Sequence, residues 1–471
     1  MKSHLVAVVI ALLLAGCVVG PDYERPEIET PDEFRQRISD GAAISNTPWW
    51  KLFGDPQLER LIIIALEESK DLAIASARVE ETRSRLGFVR ADQYPSLDGV
   101  ADASRGNLLS QVLPGAGIQN NYVLAAELSF EVDLFGRLRR STEAARAELL
   151  TSEDARNTVL ISLIADVAAT YFLLRDLDER RDVAERTLEA RRDSTRIIGE
   201  RFNKGITPKL DVNQAQIEEA DAAVQLASLE RKVIQAENLL NVLLGRNPGP
   251  ITRGASLEDQ IVPPQVPAGL PSELLERRPD IRAAEQSLAA QTARIGVAEA
   301  LRFPSLSLTA TAGYASTELS SLTDSNLQIW NIGANFFAPL FNAGQNKRRV
   351  EIEVARTEQL LNQYELAVLQ AFREVEDALA AVRTLREERA ARDMQIRAAR
   401  SAAFLSRARY DGGVTSYLEV LESERSLFRT ELSHSEVRRS QLVAVVDLYK
   451  ALGGGWLPEL APEPDPASAA E

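Results

Sequence analysis

The stretch Arg409-Tyr410-Asp411-Gly412-Gly413-Val414-Thr415-Ser416-Tyr417-Leu418-Glu419-Val420-Leu421-Glu422 sets a sharp turn between two long helical patterns, and it has a twin. Arg201-Phe202-Asn203-Lys204-Gly205-Ile206-Thr207-Pro208-Lys209-Leu210-Asp211-Val212 repeats the frame about 208 residues earlier, matching Gly205 with Gly413, Thr207 with Thr415 and Asp211 with Glu419. In each, the glycine can take the left-handed conformation that ends a helix, and the threonine after it can cap the next. Tyr94-Pro95-Ser96-Leu97 answers Phe303-Pro304-Ser305-Leu306, and Leu134-Phe135-Gly136 answers Leu340-Phe341-Asn342, at nearly the same offset. The chain is a tandem duplication.

Outward from the turns, the pattern is helical. Val354, Thr357, Leu361, Tyr364, Val368, Ala371, Val375, Ala378, Val382 and Leu385 step by alternating threes and fours, a 3.5-residue rhythm that continues through Ile396, Ala399, Ala403 and Ser406 to Tyr410. Leu160, Ile164, Val167, Tyr171 and Leu174 keep the same rhythm in the first copy. No proline interrupts Gly136 to Thr207 or Gly344 to Gly413, so each helix can rise roughly 100 Å at about 1.5 Å per residue. Returning helices are expected from Pro208 to about Leu244 and from Ser416 to about Leu452. The latter keeps Leu418, Leu421, Phe428, Leu432, Leu442, Val446 and Tyr449 in register, with Arg425 and Arg439 as charged intrusions. A shorter helical pattern runs from Asp55 to about Gly87.

At Tyr94-Pro95 the period changes to two. Tyr122, Leu124, Ala126, Leu128, Phe130 and Val132 alternate with a mostly polar set, as do Leu306, Leu308, Ala310, Ala312 and Tyr314, and then Trp330, Ile332, Ala334 and Phe336. Ser96 to Ser104, with Asp98 and Asp102 on one face, is the fourth such segment. Strands of about ten residues with one apolar face can cross a bilayer when tilted. A soluble sheet would show the same alternation; the number of strands separates the two readings. Four strands leave open edges and cannot surround a lumen, whereas membrane strands must close, so several chains are expected to share one barrel.

A formal charge of −15 and an isoelectric point near 5.0 exclude a nucleic-acid partner, which needs a basic face. Lys2 and the apolar run Leu5 to Leu14 read as an export signal too short to span permanently, leading through Leu14-Ala15-Gly16 into Cys17. Cys17 is the only cysteine, which excludes internal disulfides and thiolate metal cages. Leu-Ala-Gly-Cys resembles a bacterial lipobox, in which the cysteine becomes the lipidated N-terminus. The expected organisation is a signal at 1–16, a lipid-anchored strap at 17–54, a first repeat at 55–245, a linker at 246–271, a second repeat at 272–452 and a flexible tail at 453–471.

Catalytic chemistry finds no support. The two histidines are His4, in the signal, and His434, isolated on a helix. Asp133-Leu134-Phe135-Gly136 imitates a kinase triplet without its partner loops, and Gly453-Gly454-Gly455 lacks the lysine of a phosphate loop. The expectation is no catalytic residue, no metal and no cofactor beyond a covalent lipid. Asp211, Glu419 and Glu422 lie in the first turns of the returning helices, where the helix dipole favours acids, and Ser416-Tyr417-Leu418-Glu419 also reads as a capping box. Around an axis of several chains each inward carboxylate becomes a ring that attracts cations and narrows an aperture. Cap and aperture are compatible roles.

Cys17-Val18-Val19-Gly20-Pro21-Asp22-Tyr23, Trp49-Trp50 with Phe53-Gly54-Asp55-Pro56, the two aromatic-proline strand starts and the Tyr410 to Glu422 turn together resemble the outer membrane efflux protein family, specifically its TolC-like lipoproteins. The resemblance implies a mainly α fold with membrane β-strands, in which a homotrimer closes a twelve-stranded β-barrel continued by a long periplasmic α-helical coiled-coil barrel. It implies a duct in the bacterial outer membrane, held in its lipids, that works with a periplasmic membrane fusion (adaptor) protein and an inner-membrane proton-driven transporter. The adaptor-contact tip maps onto Gly205, Ile206, Thr207, Gly413, Val414 and Thr415, and the periplasmic gate onto Asp211, Tyr410, Glu419 and Glu422. One departure is the arginine of the family's lock, replaced here by Thr415, with Arg407 and Arg409 close by in sequence. A type I protein-secretion duct shares the architecture, and a lipid-anchored structural coiled coil is the alternative from another class.

Overall fold

The computed structural model describes residues 18–35, 48–106, 118–263 and 271–454. The signal, Cys17 with its expected lipid, part of the strap and of the linker, and all but the first two residues of the expected tail lie outside the described residues. The elements occur twice in one order. They are α1 (Pro56–Glu68), α2 (Lys70–Ala91), β1 (Ser96–Gly106), β2 (Gln119–Val132), α3 (Arg137–Asn203) and α4 (Lys209–Leu243), followed by α5 (Pro271–Arg277), α6 (Pro279–Ala300), β3 (Ser305–Ser316), β4 (Gln328–Phe337), α7 (Gln345–Asp411) and α8 (Tyr417–Ala451). α3 and α7 have 67 residues each, and α4 and α8 have 35.

Two compact units cut across these repeats, because each repeat gives its strands to one and most of its long helices to the other. Among the described residues, the first unit is drawn from the spans Met1–Ile28, Arg78–Glu153 and Ala283–Leu366, and the second from Glu29–Ala77, Asp154–Arg282 and Ala367–Glu471.

In the first unit the strands form one antiparallel meander, β1-β2-β3-β4. The ladders set Leu97 opposite Leu128, Leu128 opposite Ala310 and Ala310 opposite Ile332, so the apolar alternates of all the strands share one face. The other face aligns Asp98, Glu127, Thr311 and Asn331. Arg137 closes the β2–α3 corner on Glu131 with two parallel bonds of 3.0 and 2.7 Å. The strap docks beside it. Arg140, 4% exposed, donates to the carbonyl oxygens of Val19 and Gly20 and to the Asp22 carboxylate, while the Val19 amide donates to Phe135. Gly20 lies so near Gly296 that a Cβ on it would stand 2.4 Å from the Gly296 Cα, so the close approach requires glycine there.

In the second unit the aromatic pair of the strap enters the helical core. Trp49 stacks on Tyr449 with centroids 5.3 Å apart, and Phe53 meets Phe172 at 5.0 Å. Asp55 caps α1 through the Gln57 and Leu58 amides and also accepts from the Tyr171 hydroxyl and the Gln260 amide, at 2.7 and 2.6 Å. Burial opposes its charge, but those donors outweigh burial and hold the carboxyl below its ordinary range. The stretch expected as one helix from Asp55 to Gly87 breaks at Ser69, against which Gly245 closes and where Arg246 clasps Glu68 at 2.6 and 2.8 Å. α3 holds a window apolar enough to cross a membrane, yet Leu160, Ile164, Val167, Tyr171 and Leu174 within it are buried in the protein.

The 3.5-residue seam of α7 is real: Tyr364, Val368, Ala371, Val375, Ala378, Val382, Ile396, Ala399, Ala403 and Ser406 are all buried. Its upstream end is not, since Val354 is exposed. The matched corners differ by two residues from the sequence alignment: the left-handed glycines that precede α3 and α7 are Gly136 and Gly344, so Asn342 is not the counterpart of Gly136.

Candidate functional site at the paired turns

Both turns close by the same hydrogen bonds. The Gly205 amide reaches Phe202 and the Ile206 amide reaches Arg201, as Gly413 reaches Tyr410 and Val414 reaches Arg409. The glycines sit at φ 73 and 72, the left-handed cap that a bulkier residue would strain. Ile206 and Val414, 65% and 71% exposed, top the two turns, and Leu210 and Leu418 follow, both exposed although Leu418 belongs to the expected heptad seam.

The capping expectations fail here. Pro208 and Ser416 occupy the N-cap positions of α4 and α8, and neither makes a side-chain cap. Thr207 instead donates its hydroxyl to Asp211, and Thr415 does the same to Glu419. The threonine and the acid satisfy each other, while the amides of Asp211 and Glu419 donate to the carbonyl oxygens of Pro208 and Ser416. Glu419 also faces Arg409, with Nε 3.5 Å away. Arg407 turns elsewhere, to Ser194 at 3.3 Å, Asp411 at 3.7 Å and Glu424 at 3.8 Å. Glu422 is exposed and makes no hydrogen bond or ion pair among the described residues.

Tyr410 does not stand free. It packs on Tyr417, centroids 5.5 Å apart, beneath the Arg201 guanidinium at 5.0 Å, against a core of Ile198, Val212, Ala215, Val420 and Leu421. That core joins α3, α4, α7 and α8. The Tyr417 hydroxyl finds no partner within it, and burial, followed by the charge of Glu424, pushes its pKa up to about 12.

Behind the turns lies a charged layer that sequence reading did not find. Arg191, buried in α3, pairs with Glu424 and approaches Glu218 at 3.7 Å; Arg425 closes on Glu218 from α8. The only signal was negative: Arg425 interrupts an apolar seam, which requires an acid on a facing helix. Arg439, the other intrusion, is likewise answered by Asp176 at 3.7 Å. Nor is His434 isolated, since it bonds Asp393 at 2.8 Å and lies 3.5 Å from Glu258. No group of metal-binding side chains occurs among the described residues.

An open sheet with one apolar face, and paired helices far longer than a globular core needs, fit the protomer of a membrane duct. The sequence profile of the family described as "Outer membrane efflux protein" matches residues 61–246 and 270–454, and the chain belongs to that family. It is a channel protein of the outer membrane and not an enzyme, and its fold is TolC-like. Among its relatives, the solvent efflux pump outer membrane protein SrpC of Pseudomonas putida is 36% identical over 466 residues, covering 97% of this chain and 99% of that one. The cation efflux system protein CusC of Escherichia coli O157:H7 is 34% identical over 455 residues, covering 95% and 97%. The open-state structure of the Neisseria gonorrhoeae MtrE outer membrane channel superposes with a TM-score of 0.84 at 34% identity, covering 93% of this chain and 98% of that one.

Proposed function

We propose that three copies of this chain form a passive exit duct for small molecules, anchored by a lipid on Cys17, fed by a periplasmic adaptor and a proton-driven inner-membrane transporter, and gated at the paired turns. The observation that carries this is the open four-stranded sheet, apolar on one face and polar on the other, which becomes a water-filled pore only when identical sheets complete it. Names of relatives that mention solvent and cation efflux support small cargo over protein cargo.

In the gate, Asp211, Glu419 and Glu422 each become a threefold ring. Glu422, exposed and without a hydrogen bond or ion pair among the described residues, with only the more distant charge of Arg425 acting with it, presents its carboxylate to a neighbour or a passing cation. Glu419 is held by Arg409, which fills the role left open by Thr415, and Tyr410 braces the turn from behind. The exposed tops, Gly205-Ile206-Thr207 and Gly413-Val414-Thr415, offer the adaptor apolar side chains on rigid caps. Planar-bilayer recording tests the gate: Glu422→Ala and Asp211→Ala are expected to raise single-channel conductance several-fold over a near-silent parent. Unchanged conductance in both would remove the turns from the gate.

A further inference from the structure

Although the chain carries a net charge of −15, bases collect at one end of the sheet. At the end that leads into the helices, Arg90 precedes β1, Arg302 precedes β3, and Lys347 and Arg348 follow β4 in the first turn of α7; all four are exposed. Most acids beside them are already engaged. Glu131 and Asp133 are taken by Arg137 and Arg139, and Lys347 and Arg348 share one carboxylate, Glu351, at 3.8 and 2.6 Å. Asp92 remains as an exposed acid, while Arg90 and Arg302 make no ion pair among the described residues. The far end is different: the β3–β4 connection carries Glu318 and Asp324 and no base, set against Arg105 at the end of β1. Helix stability does not account for the bases of α7, because cations in a first turn oppose the helix dipole. α1, α2, α4, α5, α6 and α8 each place an acid there, and α7 places none.

Aromatic rings mark the depth of these bases. Tyr94, Phe303 and Phe341, 60%, 42% and 91% exposed, occupy the same corners, and Trp330, 77% exposed, stands near the far end of β4. Such rings gather at the two water–lipid boundaries of a membrane barrel, so the bases lie just outside the hydrocarbon, at the level of the lipid heads. We propose that they form a docking surface for the phosphate groups of anionic glycerophospholipids, in the membrane leaflet on the helix side. The inference rests on the outer-membrane location and the apolar face of the sheet, and is independent of what passes through the duct. Charge selects the occupant. A zwitterionic head brings its own cation beside the phosphate, whereas an anionic head leaves its charge unopposed and is attracted by each Lys or Arg near the surface. Spread over three corners rather than converging on one point, the bases suit a layer of lipid heads better than a single free phosphate. Long basic side chains lay their apolar stems along such a boundary and keep the charge in the head layer. The contact fixes the depth of the sheet, which its apolar band alone leaves free to slide along the membrane normal.

Native mass spectrometry of the full-length protein in neutral detergent, with dioleoylphosphatidylglycerol or dioleoylphosphatidylcholine added, counts the lipids that stay bound. The parent is expected to retain roughly tenfold more of the anionic lipid, and the combination of Arg90→Gln, Arg302→Gln, Lys347→Gln and Arg348→Gln is expected to bring the two lipids to about equal retention. A charge-matched control, Arg231→Gln, Lys232→Gln, Arg397→Gln and Arg429→Gln, changes exposed positions of α4, α7 and α8 and is expected to keep the preference. Equal retention of the two lipids by the parent, or equal losses in the two variants, would overturn the proposal. Inorganic phosphate that displaces the anionic lipid more than sodium chloride of equal ionic strength does would assign the bases to a free anion and overturn it as well. If circular dichroism shows that the fourfold variant has lost helix, Lys347→Gln with Arg348→Gln carries the same comparison against Arg231→Gln with Lys232→Gln.

Discussion

At the scale of single residues, buried ionisable groups in the helical unit set a pH response. Burial raises the Glu179 carboxyl to about 7, with the negative charges of Glu258 and Asp176 adding to it and Arg389 and Ser435 opposing. Asp176, fully buried against Ser435 and Arg180, is raised for the same first reason. Because the folded chain holds the Glu179 proton up to about pH 7 while the unfolded chain releases it near 4.5, stability falls as pH rises between those values and stays lowered above them. Glu179→Gln removes that loss. Its melting temperature is expected to match the parent at pH 5, to exceed it at pH 8, and to vary less between the two; a parent and variant with parallel pH profiles would exclude Glu179 as the source. Arg409 and Glu419 illustrate the opposite case, an exposed pair whose role is geometric, since surface ion pairs contribute about 0–1 kcal/mol.

At the scale of elements, the four helices behind the turns are tied by charge as well as by apolar side chains. Glu218, buried on α4, serves both Arg191 of α3 and Arg425 of α8. Glu218→Ala removes the ion pair of Arg425 and the second acid near Arg191, which keeps Glu424, and is expected to destabilise the hairpin ends by about 1–3 kcal/mol. Hydrogen exchange at Arg191 to Val212 is the direct measure: faster exchange there, with the strands unaffected, is expected, and unchanged protection would show that the apolar core of Val212, Ala215, Val420 and Leu421 suffices. The lengths of the four long helices, their glycine stops and most of the buried seam of α7 were legible in the sequence, because periodicity and caps are properties of adjacent residues, whereas the break at Ser69 was not. The threonine–acid contacts at the turns were not. A capping box and a Thr207–Asp211 bond use the same residue types, and only the path of the chain into α4 or α8 selects between them.

At the scale of the whole molecule, charge and pore chemistry converge. The net charge is −15, and on the polar face of the sheet Asp98 lies directly opposite Glu127. Like charges placed so are mildly destabilising, a cost that an acidic lining would explain if this face lines the proposed duct. In a salt gradient the assembled duct is therefore expected to favour cations, and Asp98→Asn with Glu127→Gln is expected to move the reversal potential toward zero. An unmoved potential would assign the selectivity to the helical turns instead.

What the amino-acid order determined alone was whatever repeats along it: the duplication, the 3.5-residue and two-residue periods, the proline-free helices, the glycine stops and the number of strands. Folding in three dimensions decided which partners meet. Arg425 finding Glu218, Arg191 finding Glu424, Arg140 holding the Val19-Gly20 backbone and Leu97 facing Leu128 depend on how separate elements approach and slide past one another. A period tells which face of an element is apolar, but ion pairs and ladder registers are set by the relative translation of two elements, a quantity that neither element encodes by itself.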